Sequence, residues 1–325
     1  MLDRRTFIRA VAAVFGTATF AIQAQPTNMR RIGFLGNGHP TTLSSQNDAF
    51  RRSLRELGWI EGRSITIEYR WAEGDPERLP ALVAELVQLN VDVLVVSGTP
   101  AIRAAQKATS TIPVVFVVLT DPVGLGFIRS LARPGGNMTG LASQFEELIT
   151  KQLQLMKEAL PNVSRVGLFY QSANPPVVLT AAATAARDLG LTAQMLKVTG
   201  PDEFENAFKL ARSERAGALL VLPSPYFDAQ RARLIALAAQ YRLPAFYEFR
   251  NYVEDGGLMS YGPSINEMFA RSASYVDRIL KGANPGDLAI ERPAKFELVI
   301  NLKTAMALDL SIPPSLLQRA DEIIQ

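Results

Sequence analysis

The chain has no cysteine, and among its 325 residues there is a single histidine, His39. The first absence rules out disulfides, thiolate metal sites and a Cys–His nucleophile pair. The second rules out a His-rich metal site and leaves His39 as the sole base for any Ser-His-Asp arrangement. No Gly-x-Ser-x-Gly elbow occurs to supply the serine. An excess of charge of one sign is missing too. Setting aside the three arginines and one aspartate of the first 24 residues turns 34 basic and 31 acidic residues into 31 and 30, a net of +1. A nucleic-acid partner needs a concentrated basic surface, and this balance argues against one. Neither a metal nor a cofactor is implied. No Gly/Ser linker or low-complexity tract marks a simple tandem of units.

What is present starts with an export signal. Arg4, Arg5 and Arg9 form a basic start, Ala10–Ile22 carries no charge, and Gln23-Ala24-Gln25-Pro26 ends the run. That is the layout of a secretory signal peptide spanning residues 1–24, cut after Ala24. The apolar run is too short to span a bilayer as a permanent helix. Asp3-Arg4-Arg5-Thr6-Phe7-Ile8 also resembles a twin-arginine signal, with Asp3 where Ser or Thr is usual. Without a cysteine to carry a lipid anchor, the mature protein is expected to be soluble in the periplasm. Roughly 300 residues then remain, enough for two domains with real cores. Apolar content of 48% and charged content of 20% mark the chain as globular.

The mature chain alternates strand and helix patterns. Arg31–Gly36, Ser64–Arg70, Asp92–Ser97, Pro113–Leu119 and Asn137–Leu141 read as strands, with helices over Asn47–Leu57, Pro76–Leu89 and Pro100–Ala108 between them. Asp92–Ser97 is a continuous apolar run, the mark of a strand buried on both faces. A second series repeats the rhythm: a helix over Glu146–Leu160, then strands at Arg165–Tyr170, Thr192–Val198, Gly217–Leu222 and Ala245–Glu248. Helices over Val177–Leu189, Asp202–Ser213 and Phe227–Tyr241 separate them. Such alternation implies parallel sheets of right-handed βαβ units, hence an α/β fold of two doubly wound lobes. The tail has a strand-like crossing at Gly257–Gly262, a helix over Ile265–Leu280, a strand at Lys295–Ile300, and helical patterns at Thr304–Leu308 and Pro314–Gln325. Late elements after two complete series suggest a chain that crosses back between lobes.

Several stretches carry a resemblance. They are Ser97-Gly98-Thr99-Pro100-Ala101, Thr120-Asp121-Pro122-Val123-Gly124-Leu125-Gly126, and the long run Leu131–Gly140. Gly256-Gly257-Leu258-Met259-Ser260-Tyr261-Gly262 and Phe296–Ala305 complete the set. Over nearly all of residues 29–325 the chain resembles the substrate-binding proteins of ABC transporters with a type I periplasmic-binding fold, in the branch that includes aromatic amino-acid binders. The resemblance implies two lobes joined by three crossovers and a ligand held between them. With the element order it gives a first lobe of residues 29–141 plus 262–291 and a second of 142–261 plus 292–325.

In open α/β sheets, ligands sit outside the carboxyl ends of the strands. That rule selects Gly36–Thr42 after the first strand, with Asn37 and Thr42 as candidate contacts. It also selects Ser97-Gly98-Thr99-Pro100-Ala101, where small residues open a helix and favour an anion such as a carboxylate. Thr99 there either meets ligand or caps the helix. Asp121 either meets a ligand amine or caps a helix. From the second series come Tyr170, Ser172 and Asn174, then Ser224 and Tyr226, then Glu248. Aromatic side chains beside polar ones suit a ligand with a flat or apolar body. Glu248 either neutralises an ammonium group or pairs with Arg250. Tyr261, at a crossover, either reaches the cleft or packs at the hinge. Gly36-Asn37-Gly38-His39-Pro40-Thr41 only partly matches a dinucleotide fingerprint, because Thr41 replaces the third glycine.

These features point to a monomeric periplasmic binding protein that closes on a small, amino-acid-like or aromatic ligand and delivers it to an ABC permease. A sensor subunit docking on a receptor and an exported hydrolase are the alternatives, and no catalytic constellation supports the last. Mass spectrometry of protein from its native host is expected to show loss of the first two dozen residues. A full-length cytoplasmic product would contradict the export reading.

Overall fold

A computed structural model describes residues 29–41, 43–143, 145–293 and 295–325. The export signal and Thr42 lie outside the described residues. The first sheet holds five parallel strands: β1 (Arg30–Gly36), β2 (Ile65–Trp71), β3 (Val93–Ser97), β4 (Val114–Thr120) and β5 (Met138–Ser143), in spatial order β2-β1-β3-β4-β5. The helices that follow the first three strands are α1 (Ser44–Glu56), α2 (Leu79–Gln88) and α3 (Thr99–Ala108). The second sheet is built from β6 (Arg165–Gln171), β7 (Thr192–Val198), β8 (Ala218–Val221), β9 (Ala245–Tyr247), β10 (Met259–Pro263), β11 (Phe296–Asn301) and β12 (Glu322–Ile324). Its order is β12-β11-β10-β9-β8-β6-β7. With it go α4 (Phe145–Ala159), α5 (Pro176–Asp188), α6 (Glu203–Ser213), α7 (Pro225–Ala229), α8 (Arg231–Gln240) and α9 (Arg250–Glu254). Two short helices, α11 (Leu302–Ala307) and α12 (Pro314–Leu317), end the chain around β12. The fold is two doubly wound lobes.

The long helix α10 (Ile265–Leu280) is the element that ties the lobes' chain order together. It follows β10 of the second sheet yet packs on α1, β3, β4 and β5 of the first. Its apolar face recurs at Ile265, Met268, Phe269, Ser272, Ala273 and Val276, all buried, which is the spacing of one helix stripe. Phe269 stacks on Phe34 of β1 with centroids 6.1 Å apart. Polar ties add direction: Trp59 Nε1 donates to Asp277 at 2.9 Å, and Tyr275 donates to the Ala289 carbonyl at 2.6 Å. Beyond α10 the chain runs beside β5, where Thr139 donates to the Leu288 carbonyl at 2.7 Å and the Ala142 N–H to the Glu291 carbonyl at 2.9 Å. It then enters β11. The chain therefore passes between the sheets three times: after β5, after β10 and after Glu291.

Three features differ from the sequence reading, each for a tertiary reason. The second sheet is not wholly parallel, because β10 and β11 pair antiparallel. The chain leaves β10 from its carboxyl edge and returns from the first lobe at that same edge, so it can only run the other way. The helix expected over Phe227–Tyr241 is two helices, α7 and α8, broken at Gln230. The helix expected to run to Gln325 stops at Leu317, and Glu322–Ile324 pairs with β11 instead. Isoleucines beside an open sheet edge gain more there than a helix offers them.

Gly140 shows how tightly β5 is laid against β4. It has φ +146, and a Cβ on it would lie 2.0 Å from the Phe116 carbonyl oxygen. Next to it the β4–β5 register shifts between Phe116 and Leu119. Val118 takes φ +58 in this irregularity, a strained conformation for a β-branched residue. It is one of the residues that line the cleft between the lobes.

Replacing Phe269 with alanine is expected to lower stability by about 3–5 kcal/mol, the usual cost of emptying a fully buried phenylalanine site. Chemical denaturation followed by circular dichroism measures it. A loss below about 1 kcal/mol would contradict the docking of α10 on the first sheet.

Candidate functional site

The carboxyl edges of the two sheets face one another across a cavity of about 270 Å³. That is near the lower end of small-molecule sites, which run from about 300 Å³. Parallel strands of both lobes contribute through residues that end or closely follow them. In the first lobe these are Asn37, Gly74, Ser97, Thr120 and Ser143. In the second they are Gln171, Thr199, Ser224 and Glu248. The strand-end rule thus holds on both sides at once. The rims touch. A Cβ built on Gly98 would lie 2.7 Å from Pro225 Cγ, and one on Gly74 would lie 3.6 Å from Ala229 Cβ. Gly98 has φ +86, so glycine meets both the backbone and the steric demand of this approach.

The cavity's charge is one-sided. Among the described residues that line it there is no Lys, Arg or His, and the formal charges are two acids, Asp228 and Glu248. Glu248 follows β9 and is only 4% exposed, with Oε1 lacking any hydrogen-bond partner. Burial, then the neighbouring Asp228 carboxylate, pushes the Glu248 carboxyl up to about 8. Asp228, on α7, is pushed up to about 6 by burial. A hydrogen bond from Tyr252 at 2.8 Å and the charge of Arg231 work against that rise. The anion-favouring features of the site are backbone. The helix α3 begins at the cavity with Gly98–Thr99, whereas α5 opens on Pro175-Pro176 and the N–H groups of Ser172, Ala173 and Asn174 before it are already hydrogen-bonded. The N-terminal residue of α3 is Thr99, the cap is Gly98, and no side chain caps the helix. The alternative reading of Thr99 as the cap is thereby corrected.

The remaining candidates separate into three groups. Asn37 is 4% exposed and its Oδ1 has no partner, so it faces the cavity with capacity unused. Tyr226 likewise has a buried, unpartnered hydroxyl and packs on Phe204 with centroids 5.9 Å apart. Ser97, Gly98, Thr99 and Ser172 line the same space. A second group lines it but is already engaged. Asn174 accepts from the Gln171 N–H at 2.8 Å and donates to the Pro223 carbonyl at 2.8 Å, bracing one loop against another. Ser224 caps α7 by accepting from the Tyr226 N–H at 3.2 Å.

The third group is placed elsewhere, and these residues are corrections. Ala101 is fully buried in the first lobe's core, in the first turn of α3. Tyr170 alternates to the core side of β6, leaving Gln171 to face the cavity. Tyr261 packs on Phe296 with centroids 5.9 Å apart rather than reaching the ligand space. Asp121 spends a carboxylate oxygen on the Gly124 N–H at 2.8 Å. It lines an adjoining cleft of about 370 Å³, with Val123, Glu147 and Arg292, that shares Thr120, Ser143 and Val178 with the cavity. Glu248 does not pair with Arg250, which binds Glu254, Glu297 and Glu322.

Asp228 and Phe249 are cavity residues that the strand-end reading passed over. Phe249 directly follows Glu248 and was within reach of that rule. Asp228 was hidden by reading Phe227–Tyr241 as one helix, which places it on a solvent face.

Comparison with known proteins agrees with this architecture. Residues 38–324 match the family model described as ABC transporter substrate binding protein. A tyrosine-binding protein of Clostridioides difficile (strain R20291) is 24% identical over 277 residues, 84% of this chain and 78% of that protein. A Streptococcus pneumonia ABC domain crystallised with L-Trp superposes with TM-score 0.85 at 26% identity, covering 91% of this chain and 100% of that one. A conserved domain protein of Vibrio cholerae superposes with TM-score 0.86 at 28% identity over 91% of this chain and 99% of that one. With two lobes, three crossings and an enclosed cleft between the strand ends, the chain belongs to the ABC transporter substrate-binding protein family.

Proposed function

We propose that this chain is the periplasmic receptor of an ABC importer, that it catalyses no reaction, and that its ligand is a zwitterionic amino acid with an aromatic side chain. The observation that carries the ligand class is the cavity's charge: two acids, no base, and one acid buried without a partner. A buried carboxylate without a counter-charge is costly, and a ligand ammonium group supplies the missing partner. The ligand's carboxylate goes to the start of α3, which opens at Gly98–Thr99, with the hydroxyls of Thr99 and Ser172 lining the same space. Its flat body lies against Tyr226, Phe249 and Ile265. The tyrosine and tryptophan that two relatives carry in their descriptions support the same class.

In this reading residues 29–143 plus 264–291 and residues 145–263 plus 292–325 move as two bodies about the three crossings, since β5 runs to Ser143 and β10 to Pro263, two residues past the boundaries expected from the sequence. Ligand shifts the equilibrium because only the closed arrangement lets both lobes touch it. The protein acts as a monomer and hands its ligand to a permease in the inner membrane. No helix among the described residues is long and apolar enough to cross a membrane, and a soluble carrier needs none.

Isothermal titration with L-tryptophan and L-tyrosine, beside indole-3-propionate and 4-hydroxyphenylpropionate, tests the ligand class. The amino acids are expected to bind and the amine-free acids to bind at least a hundredfold more weakly. Equal affinity would contradict the assigned role of the acids. Glu248→Gln is expected to cost roughly 2–5 kcal/mol of binding, because it removes one partner of a buried charge pair. Its unliganded melting temperature should stay equal or rise, since the change removes a strained ionisable group. Thr99→Val is expected to weaken binding by roughly 1.5–3 kcal/mol, the value of a hydrogen bond to a charged group, with stability unchanged. Lowered stability at unchanged affinity would mean that the hydroxyl serves the fold.

A further inference from the structure

We propose that Asp228 and Glu248 form one acid pair that keeps a single proton while the cleft is empty and loses it to solvent when a ligand ammonium docks, so that ligand uptake is proton-linked. The proposal rests on the amino-acid reading above and adds to it a second residue and a pH dependence.

The fold places the two acids after neighbouring strands, on one wall of the cavity. Asp228 follows β8 through the short α7, and Glu248 follows β9, which is hydrogen-bonded to β8. Both open into the same cavity. Glu248 is 4% exposed with Oε1 unpartnered. The charged and titratable groups around the pair are few. From α9, Tyr252 donates to Asp228 Oδ1 at 2.8 Å. From α8, Arg231 is the nearby cation: its Nε is held by Asp255 at 2.7 Å, its Nη1 is buried without a hydrogen-bond partner, and its charge works against the rise of Asp228. Tyr247, which precedes Glu248 on β9, is buried and stacks on Tyr252 at 4.6 Å. The first lobe meets the cavity with uncharged residues such as Asn37, Ser97, Thr99 and Ile265. Arg250 faces away into its own cluster of three glutamates.

Charge counting then fixes the direction. With both cavity acids ionised, Asp228, Glu248 and Asp255 face one arginine, a local net charge of −2. One proton on the pair brings this to −1. A ligand ammonium entering in place of that proton leaves the total at −1, so the exchange of one cation for another is balanced: ammonium in, proton out. Glu248 pushed up to about 8 and Asp228 up to about 6 place the empty pair in its singly protonated form at neutral pH. An ammonium group favours the ionised acid and lowers its pKa in the complex. Below about pH 8 binding therefore strengthens as pH rises, by up to tenfold per pH unit where one full proton is released. Acidification drives ligand off.

Titration calorimetry of L-tryptophan and L-tyrosine at about pH 7, in phosphate and in Tris, reads the proton count from the difference in buffer ionisation heat. Close to one proton released per ligand is expected, with affinity falling about tenfold per unit of acidification. Asp228→Asn is expected to reduce the released fraction, because Glu248 loses the neighbour that raises it. Tight binding with no proton release overturns the proposal. A ligand-free arm keeps the pair testable by itself. Carboxyl ¹³C NMR of the empty protein is expected to show Glu248 still protonated at neutral pH and titrating lower in Asp228→Asn. Titration of Glu248 in the ordinary range near 4, or no response to Asp228→Asn, overturns the pair. Should neither amino acid bind, the ligand reading fails, while the NMR titration still decides the pair.

Discussion

All three passages of the chain between its sheets are made at the carboxyl edges of parallel strands, and the site depends on that constraint. A strand that leaves its sheet at this edge and enters the other lobe keeps both edges turned toward each other. The space between them then collects loops of parallel strands from both lobes, which is where an α/β sheet exposes backbone N–H groups and helix starts. The same constraint reverses β11, which has to re-enter the second sheet from the edge that β10 left. It also places α10 on the first lobe, where Phe269 and Tyr275 anchor the returning chain.

An enclosed cleft of this kind gives affinity through what it leaves unsatisfied. Asn37, Tyr226 and Glu248 each hold a buried polar atom without a partner. In a core these would be defects of about 1–3 kcal/mol apiece, more for the carboxyl. In the binding cleft we propose, they would set specificity: a ligand that completes them is favoured over one that leaves them unpaired. The strain at Val118 and the close approach of Gly98 to Pro225 belong to the same arrangement, since both occur where the lobes meet.

Much of this was legible in the sequence, for physical reasons. Strand and helix periodicity located nearly every element, since buried parallel strands such as Val93–Ser97 and amphipathic helices such as α10 leave strong signals. The strand-end rule reached residues that line the cavity, the Ser97–Thr99 loop, Ser172, Ser224 and Glu248. It failed where one residue decides which way a side chain faces. Tyr170 and Gln171 are neighbours on β6, and alternation sends one to the core and the other to the cavity. It failed also at Asp228, because helical periodicity cannot show that α7 ends after a single turn and α8 starts anew. The antiparallel β11 and the short β12 depend on contacts between segments far apart in the chain, which local pattern does not carry. The sequence also could not show that Asp121 is held by its own turn.

The central claim is that the cleft recognises an ammonium group by its acids and a carboxylate by the start of α3 with the Thr99 and Ser172 hydroxyls. The most direct test is a crystal structure of the protein grown with L-tyrosine, read for the orientation of the bound molecule. The account predicts the amino nitrogen within about 3 Å of a Glu248 carboxyl oxygen and the carboxylate at Thr99 and Ser172. A ligand seated in the adjoining cleft beside Asp121, or one lying in the cavity with its carboxylate toward Glu248, would contradict it.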